Sequence, residues 1–157
     1  MVSRIASCAV GFLAVLTVAA LATEPTPTIS GIARVIDGDT IEINRQRIRI
    51  FGIDAPEHDQ PQGPAATAFL KRSIGNEPVD CTPKDRDKYG RIVAQCSTVV
   101  GDLGRRMVAS GNAIDYTHYS HGYYRAEEQA ARMEHLGIWA GPFVPPEQWR
   151  HRAHKPY

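Results

Sequence analysis

Residues 29–57 read ISGIARVIDGDTIEINRQRIRIFGIDAPE, and this stretch decides the fold. Apolar and polar side chains alternate along it, most clearly in Thr40-Ile41-Glu42-Ile43 and Arg47-Ile48-Arg49-Ile50. A period of two marks strands with one buried face. Asp37-Gly38-Asp39 and Asn44 to Gln46 carry turn chemistry, so the stretch predicts three short strands in a meander. Strict alternation would send Arg49 and Asp54 to opposite faces. Gly52 between them is a candidate bulge that would bring them to one side.

Downstream, Gly63-Pro64 opens a helical pattern with Ala65, Ala68, Phe69 and Ile74 near one face and Gly75 at the C-terminal cap. Strands are expected around Cys81 and from Arg91 to Ser97. A helix follows that Asp102 caps and Gly111 ends, and then a third over 125–136, supported by Glu128 and Arg132 and stopped by Gly137. Five short strands with three helices make a small α+β domain around a partly closed barrel. From Gly141 the tail combines Pro142, Phe143, Pro145, Pro146 and Trp149 with a basic cluster of Arg150, His151, Arg152, His154 and Lys155. It is expected to strap aromatics over the barrel and to end frayed and solvated, with a phosphate-tracking tail as the alternative.

Arg4 followed by the mainly apolar run Ile5 to Leu21, with Ala20-Leu21-Ala22 behind it, reads as a signal peptide cleaved after Ala22. An uncleaved membrane anchor is the alternative, weakened by the Ala-rich character of the run. The expected layout is a signal at 1–22, a disordered lead-in at 23–28, one domain at 29–140 and the tail at 141–157. That layout implies a periplasmic or secreted monomer with no stable membrane association after cleavage. The formal net charge is +1, and losing Arg4 leaves the mature chain neutral. Bulk charge therefore gives no support to a polyanionic ligand, which usually goes with a strong basic excess. Cys8 leaves with the signal, so Cys81 and Cys96 remain as an even pair in a chain bound for an oxidising compartment. A hairpin turning around Asp85 to Gly90 would set them opposite one another, and a disulfide is expected. Two cysteines at this spacing do not complete a zinc site.

Three segments concentrate charged residues in unusual pairings: Val35 to Thr40, Arg49 to Glu57, and Asp87-Lys88-Tyr89-Gly90-Arg91. Asp39 and Asp54 sit at the edges of neighbouring strands, where two carboxylates can converge on a hard cation. Pro56 fixes the backbone just after Ala55, whose carbonyl is a candidate third ligand. The guanidinium forks of Arg49 and Arg91 match the oxygens of a phosphodiester. Glu57, three residues after Asp54, is a candidate general base. His118 and His121 lie in a polar loop and receive no role.

In these three motifs, and in Gly111-Asn112-Ala113 and Gly137-Ile138-Trp139, the chain resembles the staphylococcal nuclease family over nearly the whole mature domain. The resemblance implies a five-stranded OB-fold Greek-key barrel. It implies Ca²⁺ held by Asp39, Asp54 and the Ala55 carbonyl, catalysis by Arg49, Glu57 and Arg91, and a substrate pocket with Lys88, Tyr89 and Tyr119. The activity implied is hydrolysis of DNA and RNA leaving 3′-phosphates. Ala55 departs from the threonine of the staphylococcal enzyme, and the 58–62 linker is shorter than the mobile loop there. Since no base-reading motif is present, low sequence specificity and a preference for single strands are expected. The rival reading, a non-catalytic OB-fold binding module, should lack one of Asp39, Arg49, Asp54, Glu57 or Arg91, and all five are present.

Overall fold

The computed structural model describes residues 27–153. The segment read as a signal with its expected cleavage site, Cys8, most of the expected lead-in and the charged end at His154 and Lys155 lie outside the described residues. In chain order the first strands are β1 (Ile29–Ile32), β2 (Arg34–Val35), β3 (Thr40–Ile43), β4 (Gln46–Ile50) and β5 (Ile53–Asp54). Helix α1 (Gly63–Ile74) follows, then β6 (Pro78–Arg86), β7 (Ile92–Thr98), β8 (Gly101–Asp102), α2 (Leu103–Ala109) and β9 (Ile114–Asp115). The chain ends through α3 (Thr117–Ser120), α4 (Arg125–Met133), a 3₁₀ turn (Gly137–Ala140) and α5 (Pro146–Ala153).

The first barrel strand is split at Ala33, so that β1 pairs with β6 while β2 pairs with β3, both antiparallel. β3 returns as β4 across Asn44 and Arg45, whose φ angles of 50° and 66° fit the left-handed turn that matches strand twist in two-residue hairpins. β4 runs parallel to β7, and β7 is antiparallel to β6. The path β2-β3-β4-β7-β6-β1 therefore comes back to its own first strand. This is the OB-fold Greek-key barrel that the resemblance implied, within an α+β chain.

Alternation does what it predicts on β3 and β4. Ile41, Ile43, Ile48 and Ile50 are all 0–1% exposed, while Glu42, Arg47 and Arg49 occupy the other face. Each such buried side chain is worth about 1.5–3 kcal/mol relative to solvent. Leu70 of α1 and Leu103 and Met107 of α2 close the core from the helical side. Gly75 ends α1 with a left-handed φ of 61° and an N–H bonded to the Lys71 carbonyl at 2.9 Å. Asp102 caps α2 by accepting from the Arg105 N–H at 2.8 Å. Cys81 and Cys96 stand directly opposite on β6 and β7 and are joined as a disulfide.

Four features differ from the sequence reading. α4 stops at Met133 instead of reaching residue 136, because His135 adopts φ 53° and the Leu136 N–H turns back to the Ala131 carbonyl at 2.9 Å. The two-residue ladder between β5 and β9, and α3 within the segment read as a polar loop, were not anticipated. The tail forms a helix, α5, where only a strap was expected. Among the described residues, no helix is long and apolar enough to cross a membrane.

Candidate active site

The turn between β2 and β3 sets the first carboxylate. A Cβ on Gly38 would lie 2.7 Å from the Ala55 Cβ and 3.0 Å from the Ala66 Cβ, so a residue without a side chain lets the turn close on α1. The Asp39 N–H donates to Asp37 Oδ1 at 3.0 Å, which fixes the turn and aims Asp39 inward. Its carboxylate accepts from the Thr40 hydroxyl at 3.0 Å, the Ala55 N–H at 3.2 Å and Arg49 Nη1 at 2.8 Å.

Arg49 also serves the second carboxylate. Its Nη2 donates to Asp54 Oδ1 at 2.9 Å and to the Ile53 carbonyl at 3.2 Å, so one guanidinium ties both acids together. Glu57 follows on the loop before α1. Its N–H donates to Gln60 Oε1 at 3.2 Å, and its Oε1 accepts from Arg150 Nη1 at 2.6 Å. Arg150 also takes both Asp54 oxygens, at 3.0 and 3.1 Å.

These groups border a cavity of about 860 Å³ whose walls include Asp39, Arg49, Ala55, Glu57, Arg91 and Arg150. Asp54 lies fully buried behind that wall. Arg91 does not join the Asp39–Asp54 cluster. It stands just ahead of β7, where its Nε donates to Asp87 Oδ2 at 2.6 Å. Lys88, Tyr89 and Tyr119 line the same cavity. Tyr89 is 73% exposed, with Lys88 Nζ 5.1 Å and the Arg91 guanidinium 5.7 Å from its ring centre. His118 and His121 border it too, and the His118 ring packs edge-on against Tyr119 at 4.8 Å.

Burial, then the charge of Asp39, pushes the Asp37 carboxyl up to about 6. Burial also raises Asp54, against the downward pull of Arg150. For Arg49 burial disfavours the cation, but Asp39 and Asp54 outweigh it and the guanidinium is held charged above its ordinary range. Arg150 behaves alike, with burial opposed by Asp54 and Glu57. At Asp87 slight burial is overcome by bonds from Arg91 and Tyr89, and the carboxyl sits below its ordinary value.

Among the described residues, no three His, Cys, Asp or Glu side chains gather as a metal-holding group. A cation here would use Asp39, Asp54, the Ala55 carbonyl and water, an all-oxygen set that suits Ca²⁺ or Mg²⁺ and not zinc. Of the sequence candidates, Asp39, Arg49, Asp54, Ala55 and Glu57 come together, and Arg91, Lys88, Tyr89 and Tyr119 line the same cavity outside that cluster. Arg150 is the member that sequence reasoning missed. It lies 96 residues from Asp54, inside a basic cluster, and no local spacing marks it.

These residues build a nearly closed OB barrel whose polar cleft carries two carboxylates bridged by one arginine. The chain belongs to the family described as Staphylococcal nuclease homologue, whose model matches residues 47–141. It is 38% identical over 129 residues to an "Uncharacterized endonuclease" of Escherichia coli, covering 77% of this chain and 84% of that protein. It is 33% identical over 141 residues to "Micrococcal nuclease" of Shigella flexneri, covering 79% and 80%. It is also 37% identical over 126 residues to "Succinoglycan biosynthesis protein ExoI" of Rhizobium meliloti (strain 1021), covering 71% of this chain. The match spans 64% of the length of that last relative.

Proposed function

We propose that the protein is an exported, metal-dependent endonuclease that hydrolyses the phosphodiester bonds of DNA and RNA with low sequence specificity. The observation that carries this reading is the bridge from Arg49 to Asp39 and Asp54 at 2.8 and 2.9 Å, in the wall of a cavity that Glu57 and Arg91 also line. The names of the E. coli and S. flexneri relatives support it.

Ca²⁺ is the ion we assign to Asp39, Asp54 and the Ala55 carbonyl, where it would supply positive charge against the phosphate. Arg49 and Arg91 hold the phosphate from two sides and stabilise its extra negative charge as bonds to phosphorus change. Glu57 accepts the proton of the attacking water. The water oxygen bonds to phosphorus as the bond to the 5′ oxygen breaks, that oxygen takes its proton from solvent, and a 3′-phosphate remains. Tyr89 and Tyr119, with Lys88 nearby, offer faces and charge for unpaired bases and backbone, so single strands are the better substrate. The protein acts as a monomer in the periplasm or outside the cell.

The rival is a binding module that holds nucleic acid without cutting it. The test is digestion of plasmid, single-stranded DNA and RNA by mature protein with Ca²⁺, with EGTA and with Mg²⁺, followed by end-group analysis. Cleavage that needs Ca²⁺, prefers single strands and leaves 3′-phosphates is expected. Binding without cleavage in every tube would favour the module.

A further inference from the structure

The loop that carries Glu57 is tied to the C-terminal segment by three side-chain hydrogen bonds. Gln60 Nε2 donates to the Val144 carbonyl at 2.6 Å, Trp149 Nε1 to Asp59 Oδ1 at 3.2 Å, and Arg150 Nη1 to Glu57 Oε1 at 2.6 Å. Gln60 is 2% exposed and its own Oε1 accepts from the Glu57 N–H, so loop and tail share one bonded frame. Arg150 reaches beyond that frame and grips both oxygens of Asp54.

Three of the arginines that line the cavity divide the work. Arg49 joins Asp39 to Asp54, Arg91 pairs with Asp87, and Arg150 joins Asp54 to Glu57. The Glu57 side chain is 36% exposed on a loop, and a glutamate there has much rotamer freedom to lose. A short bond from a charged planar fork, itself locked on a fully buried aspartate, restricts that freedom and sets the direction of the carboxylate.

We propose that Arg150 is a positioning residue of this site. Delivered by α5, it fixes Glu57 relative to Asp54, which makes the C-terminal segment a working part of the catalytic centre. The inference rests on the nuclease reading, with Glu57 as base. A different role for the same contacts, in which Arg150 blocks the acids against a cation, gives the opposite sign of effect, since removing a block would raise activity.

The experiment compares wild type, Arg150→Gln, Glu57→Gln, the double variant and Arg150→Lys at saturating Ca²⁺, after thermal melts have verified folding. Arg150→Gln should lower kcat about 10- to 100-fold, the usual cost of losing a partner that orients a catalytic ligand. KM should stay within about threefold, since substrate binding is not what is lost. The substitution should add little to the loss in Glu57→Gln, because both act through one carboxylate. Arg150→Lys keeps the charge without the fork and should recover only part of the rate. In metal-free protein, amide exchange over 56–62 should quicken in Arg150→Gln while β6 and β7 stay unchanged. An unchanged or raised kcat, losses that multiply fully in the double variant, wild-type activity in Arg150→Lys, or unaltered loop exchange would each overturn the proposal. Wild type that cuts normally while Arg150→Gln is indifferent removes this inference alone. Wild type that never cuts removes the nuclease reading and this inference with it.

Discussion

Arg49 Nη2 lies 2.9 Å from Asp54 Oδ1, although five residues of regular strand would turn their side chains to opposite faces. The bend that brings them together is Gly52, which separates β4 from β5 with φ 73°. The Tyr116 N–H bonds to the Gly52 carbonyl at 2.9 Å and pins the bend to the segment after β9.

Gly52→Ala tests that bend. The backbone is left-handed there, and an added Cβ would stand 3.0 Å from the Ser120 Cβ and 3.3 Å from Tyr124 Cε2. Strain and crowding together should cost about 1–3 kcal/mol, read from denaturant midpoints. Cleavage should fall as well, because the Arg49–Asp54 contact depends on this turn. A variant as stable and active as wild type would show that the contact survives without the glycine.

Arg49→Ala and Arg91→Ala should separate stability from turnover. Arg91 forms its ion pair with Asp87 at a partly exposed position, so its loss should cost more than tenfold in kcat/KM, from about 3 kcal/mol of lost transition-state stabilisation, and little stability. Arg49 holds two buried acids, and removing it leaves Asp39 without its guanidinium partner beside Asp54, which keeps only Arg150 of its two guanidinium partners. That variant should lose activity and also unfold earlier, by about 3 kcal/mol or more. Calorimetry beside rate measurements checks both, and equal stability losses in the two variants would contradict the division.

What could be read in the sequence follows from locality. Alternating isoleucines, Gly63-Pro64, Gly75 and the Asp102 cap each act within a few residues of themselves, and the cysteine parity needs no coordinates. The three charged motifs bring most of the site with them, since their strands are neighbours in the barrel. Pairing between β5 and β9 joins segments some sixty residues apart through only two residues each, too short to leave a pattern. At α4 the glycine at 137 drew the expected end, while His135 made the turn earlier. Arg150 was assigned to solvent because basic residues near a terminus usually are solvated. Its pull toward Asp54 exists only once the barrel has buried that acid.

The Cys81–Cys96 bond closes a separation of 15 residues between strands that already pair. The double Cys81→Ala, Cys96→Ala variant should be less stable by about 3 kcal/mol in the chain-entropy model. Activity at low temperature should persist, since neither cysteine borders the cavity. Thiol titration of denatured, unreduced wild type should find none free at these positions. Free thiols, or a variant with unchanged midpoint, would count against a stabilising crosslink.

Asp87 gives a pH dependence whose sign is fixed. Its carboxylate accepts from the Tyr89 and Arg91 N–H groups at 3.0 and 2.9 Å and from Arg91 Nε at 2.6 Å, which lowers its folded pKa below the ordinary 3.8. A depressed acid contributes stability that is fully present above the unfolded value and is lost as pH falls through the folded one. Asp87→Asn should therefore destabilise the protein near neutrality, and the gap to wild type should shrink as pH drops below about 4. Because the same carboxylate holds the Arg91 side chain, the variant should also lose part of its cleavage rate at neutral pH, where wild-type Asp87 is charged. Melting curves for both proteins across the acid range decide the matter, and a gap that stays constant or widens toward low pH would reverse the assigned sign.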